Sequence, residues 1–204
     1  MIGYLILAVL VAFIAVVAIR TIRFRPKPQP EVTKEEIAFD RDAAVDSLGQ
    51  LVRCKTVSYN DHSLEDEGEF QKLISLLPTL YPNVFGTCTF QQLPDRALLL
   101  RWPGKQEGDP AVMMAHYDVV PVNEEKWDKP PFAGIIEDGI LWGRGTLDTK
   151  VPFNGVLAAA NYLIGQGFQP EKDIYFAFSG GEEINGQGAP NIVAYFTEHG
   201  IHPA

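Results

Sequence analysis

With 204 residues, 46% of them apolar and 21% charged, the chain has the length and composition of a globular domain with a core of its own. Its formal net charge is −9, and because the first 27 residues carry four basic residues (Arg20, Arg23, Arg25, Lys27) and no acidic ones, the remainder holds 13 basic against 26 acidic. A domain that acidic does not hold a polyphosphate backbone by charge, so nucleic acid is not an expected partner. Two cysteines with no CxxC spacing exclude a disulfide framework and a zinc knuckle.

Taken in chain order, the first element is Ile2 to Ile19, an uncharged run of 18 residues apolar on every face. As a helix it rises roughly 27 Å, close to the hydrocarbon thickness of a bilayer. Only Met1 precedes it, so a basic leader is missing, and Val17-Ala18-Ile19-Arg20 is a poor cleavage site. The segment 2–19 therefore reads as an uncleaved single-pass membrane anchor. The basic residues just after it favour a cytoplasmic position for the rest of the chain. Residues 20–31 form a basic, proline-rich linker in which Pro26-Lys27-Pro28-Gln29-Pro30 excludes helix and favours a stiff extended spacer. The soluble domain is expected to begin at Val32.

Phe39 to Val52 has apolar residues at helical spacing, as does Glu69 to Leu80, which carries Pro78 in its last turn and stops at Tyr81-Pro82-Asn83. Cys54 and Cys88 read as buried small hydrophobes. Ala97 to Trp102 and Ala111 to Ala115 are short apolar runs and are expected to be buried strands. Asp138-Gly139 between Ile135-Ile136 and Ile140-Leu141-Trp142 predicts a hairpin. Pro152 opens an Ala- and Leu-rich helix to Ile164, punctuated by Gly165 and Gly167. Asp173 to Phe178 predicts another buried strand, and Ala189 to Glu198 a last helix before Gly200. Strands alternating with helices imply an α/β fold, a three-layer arrangement with helices on both faces of a sheet.

Three clusters stand at or after the C-terminal ends of predicted strands, where open α/β sheets build their sites. The first is His116-Tyr117-Asp118, in which alternation puts imidazole and carboxylate on one face, so that the carboxylate can fix the histidine tautomer for a metal. The second is Gly143-Arg144-Gly145-Thr146-Leu147-Asp148-Thr149-Lys150. It lacks the third glycine of a dinucleotide fingerprint and follows a hairpin, so nucleotide binding is not expected. The third is Gly180-Gly181-Glu182-Glu183, where one carboxylate can ligate a metal while its neighbour faces a water. One imidazole and several carboxylates suit zinc, which acidifies a bound water for attack on an amide carbonyl. Read singly, His116 could also be a satisfied histidine at a strand end, and a Glu-Glu pair in a solvated loop carries no function.

The ordered set His116-Tyr117-Asp118-Val119-Val120-Pro121, Trp127, Pro130-Pro131-Phe132, Gly134, Asp138-Gly139, Gly143-Arg144-Gly145-Thr146, Asp148, Lys150 and Glu182-Glu183 resembles the co-catalytic zinc peptidase family. That family includes aminoacylase, acetylornithine deacetylase, succinyl-diaminopimelate desuccinylase and glutamate carboxypeptidase. The wording is most similar to its vacuolar carboxypeptidase S branch. The resemblance implies a zinc-exopeptidase-like catalytic domain over 32–204. It implies hydrolysis of an amide bond in short peptides or N-acyl amino acids, releasing a C-terminal amino acid, by a water activated between two zinc ions, with cobalt or manganese as substitutes. It implies His116, Asp148 and Glu183 as metal ligands, with Asp148 shared by both ions through a cis peptide to Thr149. Asp118 would orient His116, and Glu182 would be the general base. Thr149 stands where relatives often carry an acidic or amide residue. The family's further acidic ligand, its distal histidine, and the lid domain through which a homodimer would form are not found in the chain. His62, His199 and His202 are read as solvated rather than as substitutes. The chain is thus expected to be an N-terminal fragment, inactive alone. Two other readings are a membrane-tethered, non-catalytic binding protein on a peptidase scaffold and an aminopeptidase of the same fold.

Overall fold

A computed structural model describes residues 1–25 and 37–204 and divides the chain into two units, Met1–Ala38 and Phe39–Ala204. The expected extended spacer at 26–30, the rest of the linker to 31 and the expected domain start at Val32 lie outside the described residues. In the first unit, helix α1 (Ile2–Arg23) extends the apolar run by one basic turn. Its mean hydropathy of 3.0 makes it long and apolar enough to cross a membrane, a property that a signal sequence shares.

The second unit is built on a four-stranded sheet. Strands β1 (Thr89–Leu93), β2 (Ala97–Trp102), β3 (Ala111–His116) and β6 (Ile174–Ser179) stand in the order β1-β2-β6-β3. β1 and β2 are antiparallel, as are β2 and β6, whereas β6 and β3 are parallel. A separate hairpin joins β4 (Ile135–Glu137) to β5 (Ile140–Trp142). Asp138 and Gly139 both take positive φ in its turn, the conformation that Asp-Gly supplies.

Alternation along the two central strands sends side chains into two cores. Leu98, Leu100 and Trp102 of β2 and Phe176 and Phe178 of β6 face one side, where α3 (Glu67–Leu80), α4 (Pro82–Thr87) and α5 (Val151–Gly165) cover them. Leu51 of α2 (Arg41–Val52) joins that core. Ala97, Leu99, Tyr175 and Ala177 face the other side, against Ile192 and Phe196 of α6 (Gly188–Glu198). Helices therefore lie on both faces, as the strand–helix alternation implies. Cys54 and Cys88 are buried and unbridged, and burial pushes the Cys88 thiol up to about 11.

One local expectation differs from the structure, and two elements, α4 and β1, were not foreseen. Among the described residues β3 has one strand neighbour, β6, and is not buried: Met113 is 42% and Met114 72% exposed. An unbroken apolar run looks the same whether a strand has one neighbour or two. Pro82 ends α3 but also opens α4, in the first helical position, where its missing N–H costs nothing. β1, Thr-Phe-Gln-Gln-Leu, is half polar and has no apolar run to announce it.

The β1–β2 turn places Arg96 over the Phe70 ring, 3.8 Å from its centre, with Glu65 2.8 Å from the guanidinium. Burial alone would raise the Glu65 pKa. Hydrogen bonds from Arg96, the Tyr59 N–H and His62, together with the Arg96 charge, outweigh it and hold the carboxyl at about 2. A carboxyl held below its unfolded value stabilises the fold above roughly pH 4.3 and loses that contribution as pH falls toward its folded value. The Glu65 side chain is only 2% exposed, so the contribution is on the order of 3 kcal/mol. Glu65→Gln is expected to lower the melting temperature at pH 7 and to leave it nearly unchanged at pH 2. Thermal melts across that range check this; an equal loss at both ends would contradict it.

Candidate metal centre

Because β3 and β6 are parallel neighbours, their C-terminal ends open on the same side, with His116 in register with Ser179. The chain leaves β3 through Tyr117, whose ring turns into the core, so that His116 and Asp118 on either side of it share the other face. The chain leaves β6 through Gly180. A Cβ there would lie 2.6 Å from the Tyr117 ring tip and 2.8 Å from Arg96 Cβ, so only glycine lets the loop pass. The third contribution comes from the turn after β5. Gly145, at φ +78°, lies where a Cβ would stand 2.3 Å from Val119, and it brings Asp148 alongside β3.

Asp118 ties the strand ends together. It is fully buried, and its two carboxylate oxygens accept the backbone N–H groups of Glu182 at 3.1 Å and Glu183 at 3.2 Å. The same carboxylate lies 3.3 Å from His116 Nδ1, and the Asp118 carbonyl lies 3.1 Å from that nitrogen. Both neighbours of Nδ1 are acceptors, so Nδ1 carries a hydrogen and Nε2 is the atom turned to the open side. Asp148 Oδ1 lies 3.1 Å from Nε2, and Glu182 Oε2 lies 3.6 Å from it.

One ligand atom each from His116, Asp148 and Glu183 lies within 4.8 Å of the others. A tetrahedral divalent cation takes three such ligands and keeps a fourth position open. The electrostatics fit a cation as well. Burial raises the Glu183 pKa, and the charges of Asp148, Asp118 and Glu182 raise it further, with only His116 opposing. Burial works to lower the His116 pKa, yet the Asp118 hydrogen bond and charge, the Asp148 hydrogen bond and the Glu182 charge bring it up to about 9. A positive charge among these carboxylates relieves both. Asp148 and Glu182 keep the centre open, with side chains 75% and 58% exposed.

The Asp148–Thr149 peptide is cis. Thr149 and Lys150 belong to the centre in ways that sequence reading missed. The Thr149 hydroxyl contacts the backbone of His116. Lys150 is fully buried and donates to the carbonyls of Leu51 at 2.9 Å and Cys54 at 2.8 Å. Burial lowers its pKa to about 8. The other histidines lie elsewhere: His62 pairs with Glu65, and His199 stacks on Tyr195, 3.9 Å between ring centres.

Residues 112–203, which span all three clusters, match the family model described as peptidase family M20/M25/M40. The chain belongs to this family. Among curated M20 relatives it is 33% identical over 205 residues to the probable carboxypeptidase S-like 2 of Dictyostelium discoideum, covering 95% of this chain and 40% of that protein. It is 33% identical over 209 residues to the N-fatty-acyl-amino acid synthase/hydrolase PM20D1.1 of Danio rerio, covering 97% and 40%. Among solved structures, human carnosine dipeptidase 1 superposes with a TM-score of 0.60 at 20% identity, over 76% of this chain and 35% of that one, which supports the M20 fold. The chain spans about 40% of the length of the curated relatives it matches.

Proposed function

We propose that this M20 chain supplies the core of a metal-dependent amidohydrolase that releases a C-terminal amino acid from short peptides or N-acyl amino acids. The observation that carries the reading is the convergence of His116 Nε2, Asp148 and Glu183, with Glu182 beside them on the open side. The names of two relatives, a carboxypeptidase S-like protein and an N-fatty-acyl-amino acid synthase/hydrolase, support the substrate class.

A bound divalent cation, zinc by its ligand set, supplies Lewis acidity toward a carbonyl oxygen and acidifies a water. His116, Asp148 and Glu183 would hold it, and a second ion would share Asp148 and draw on ligands beyond this group. Asp118 keeps His116 in the tautomer that offers Nε2 and fixes the backbone of the Glu182–Glu183 pair. Glu182 takes a proton from the attacking water and returns it to the departing amine. The 204 residues alone are expected to bind metal weakly and to turn over nothing, because two ions sharing Asp148 would find two protein ligands each, one fewer than a catalytic zinc normally has.

The test is an assay of the chain alone beside a form continued through the remaining length of its relatives, with zinc and with chelator. Substrates are N-acyl amino acids, dipeptides and amino-acid amides that have a free amine but no free carboxylate. Chelator-sensitive hydrolysis of the first two by the longer form supports the proposal. Turnover of the amides alone would make it an aminopeptidase, and metal binding without any turnover a binding protein on a peptidase scaffold.

A further inference from the structure

Thr149 meets His116 on the side of β3 turned away from β6. In a parallel pair, alternate residues of a strand bond to the partner and the others point away. Tyr117 N–H donates to Ser179 O at 3.0 Å, so Tyr117 faces β6, and the N–H and C=O of His116 point away from it. At His116 a single hydroxyl takes both: Thr149 Oγ1 accepts from the His116 N–H at 3.2 Å and donates to the His116 carbonyl at 2.9 Å. A hydroxyl has the one donor and the acceptor lone pairs that this requires.

The residues flanking Thr149 give the contact its purpose. Asp148, one residue earlier, reaches the other end of His116, 3.1 Å from Nε2. Lys150, one residue later, is locked to Leu51 O and Cys54 O, and its own N–H donates to Gly145 O at 2.9 Å. The hydroxyl is thus carried on an anchored turn.

We infer that Thr149 is a positioning residue for the metal ligand His116, holding both backbone groups of that residue with one hydroxyl. The inference rests on the reading of this centre as a metal site. It reaches past that reading, because Thr149 offers the ion no ligand in this arrangement and acts through the backbone of His116.

The test compares Thr149→Val, which keeps the shape and loses the hydroxyl, with Thr149→Ser, which keeps the hydroxyl. Two quantities are read in the form continued through the remaining length of its relatives: zinc affinity by calorimetry, and hydrogen exchange of the His116 amide by NMR. The valine variant is expected to bind zinc roughly 10–100-fold more weakly, the loss typical of a residue that supports a ligand. Its His116 amide should exchange about tenfold faster, a lost hydrogen bond's share of protection, and serine should restore both. A valine variant that melts lower but binds zinc as the wild type does, with His116 exchange unchanged, has lost stability only and overturns the inference. Should the wild type bind no zinc, the metal-site reading fails, and His116 exchange alone then decides for or against the contact. Should the valine variant not fold, the wild type still decides: a His116 amide exchanging as fast as an amide with no hydrogen-bond partner would sink the idea.

Discussion

Glu182→Gln, made in the longer, active form, is expected to cut amide hydrolysis by about 10²–10⁴-fold, the range for losing a positioned general base. Bound metal should be nearly unchanged. The asymmetry follows from the placement of neighbouring carboxylates. Glu183 is grouped with His116 and Asp148, whereas Glu182 points to the open side, 3.6 Å from His116 Nε2. Glutamine fills the same space and keeps the backbone N–H that Asp118 holds, so the loop stays where it is. It cannot accept a proton. His116→Ala is the control with the opposite signature. It removes an intended ligand and should lower metal affinity by more than the roughly 10–100-fold that loss of a supporting residue costs. Metal analysis beside steady-state rates separates the two, and equal metal loss in both variants would mean that Glu182 is itself a ligand.

The second large effect is expected from Phe153→Ala, well away from solvent. Phe153 is fully buried in the first turns of α5, with its ring 4.5 Å from Phe178 and 5.8 Å from Tyr117, centre to centre. Truncating a packed phenylalanine costs about 3–5 kcal/mol, because the transfer energy is lost and a cavity remains. For a unit of this size that corresponds to roughly 10 °C in melting temperature. The cavity would open beneath Tyr117, which lies between His116 and Asp118 in the chain, so metal affinity should fall along with stability. Calorimetric melts and zinc titration check both. A loss below about 1 kcal/mol would show that the surrounding rings close the gap.

Much of this centre was legible in the sequence because its side chains lie where an apolar run breaks into glycine or a charge. His116 closes β3, and Glu182 and Glu183 follow Phe178-Ser179-Gly180-Gly181. Local order along the chain carries that signal. Neighbour relations across the sheet do not appear in it. The apolar run 111–115 is the same whether the strand stands at an edge or in the middle, so Met113 and Met114 were misplaced indoors. The contacts of Thr149 and Lys150 escaped for a related reason. A threonine hydroxyl and a lysine ammonium ordinarily meet water, and only the pairing of segments far apart in sequence turns one to a strand edge and the other into the core. The hairpin at Asp138-Gly139, by contrast, is a two-residue matter and was read directly.

The joints that hold this centre are long in sequence. Asp118 reaches Glu182 across 64 residues, and His116 reaches Asp148 across 32. Closing such loops costs chain entropy before any contact repays it, and topologies of this kind assemble slowly. The pairing of β3 with β6 must already exist for His116 and Glu183 to meet. A metal ion held by His116, Asp148 and Glu183 would find the three gathered only once that pairing exists. Its binding energy would then be expected to appear as slower unfolding of the sheet rather than as faster folding.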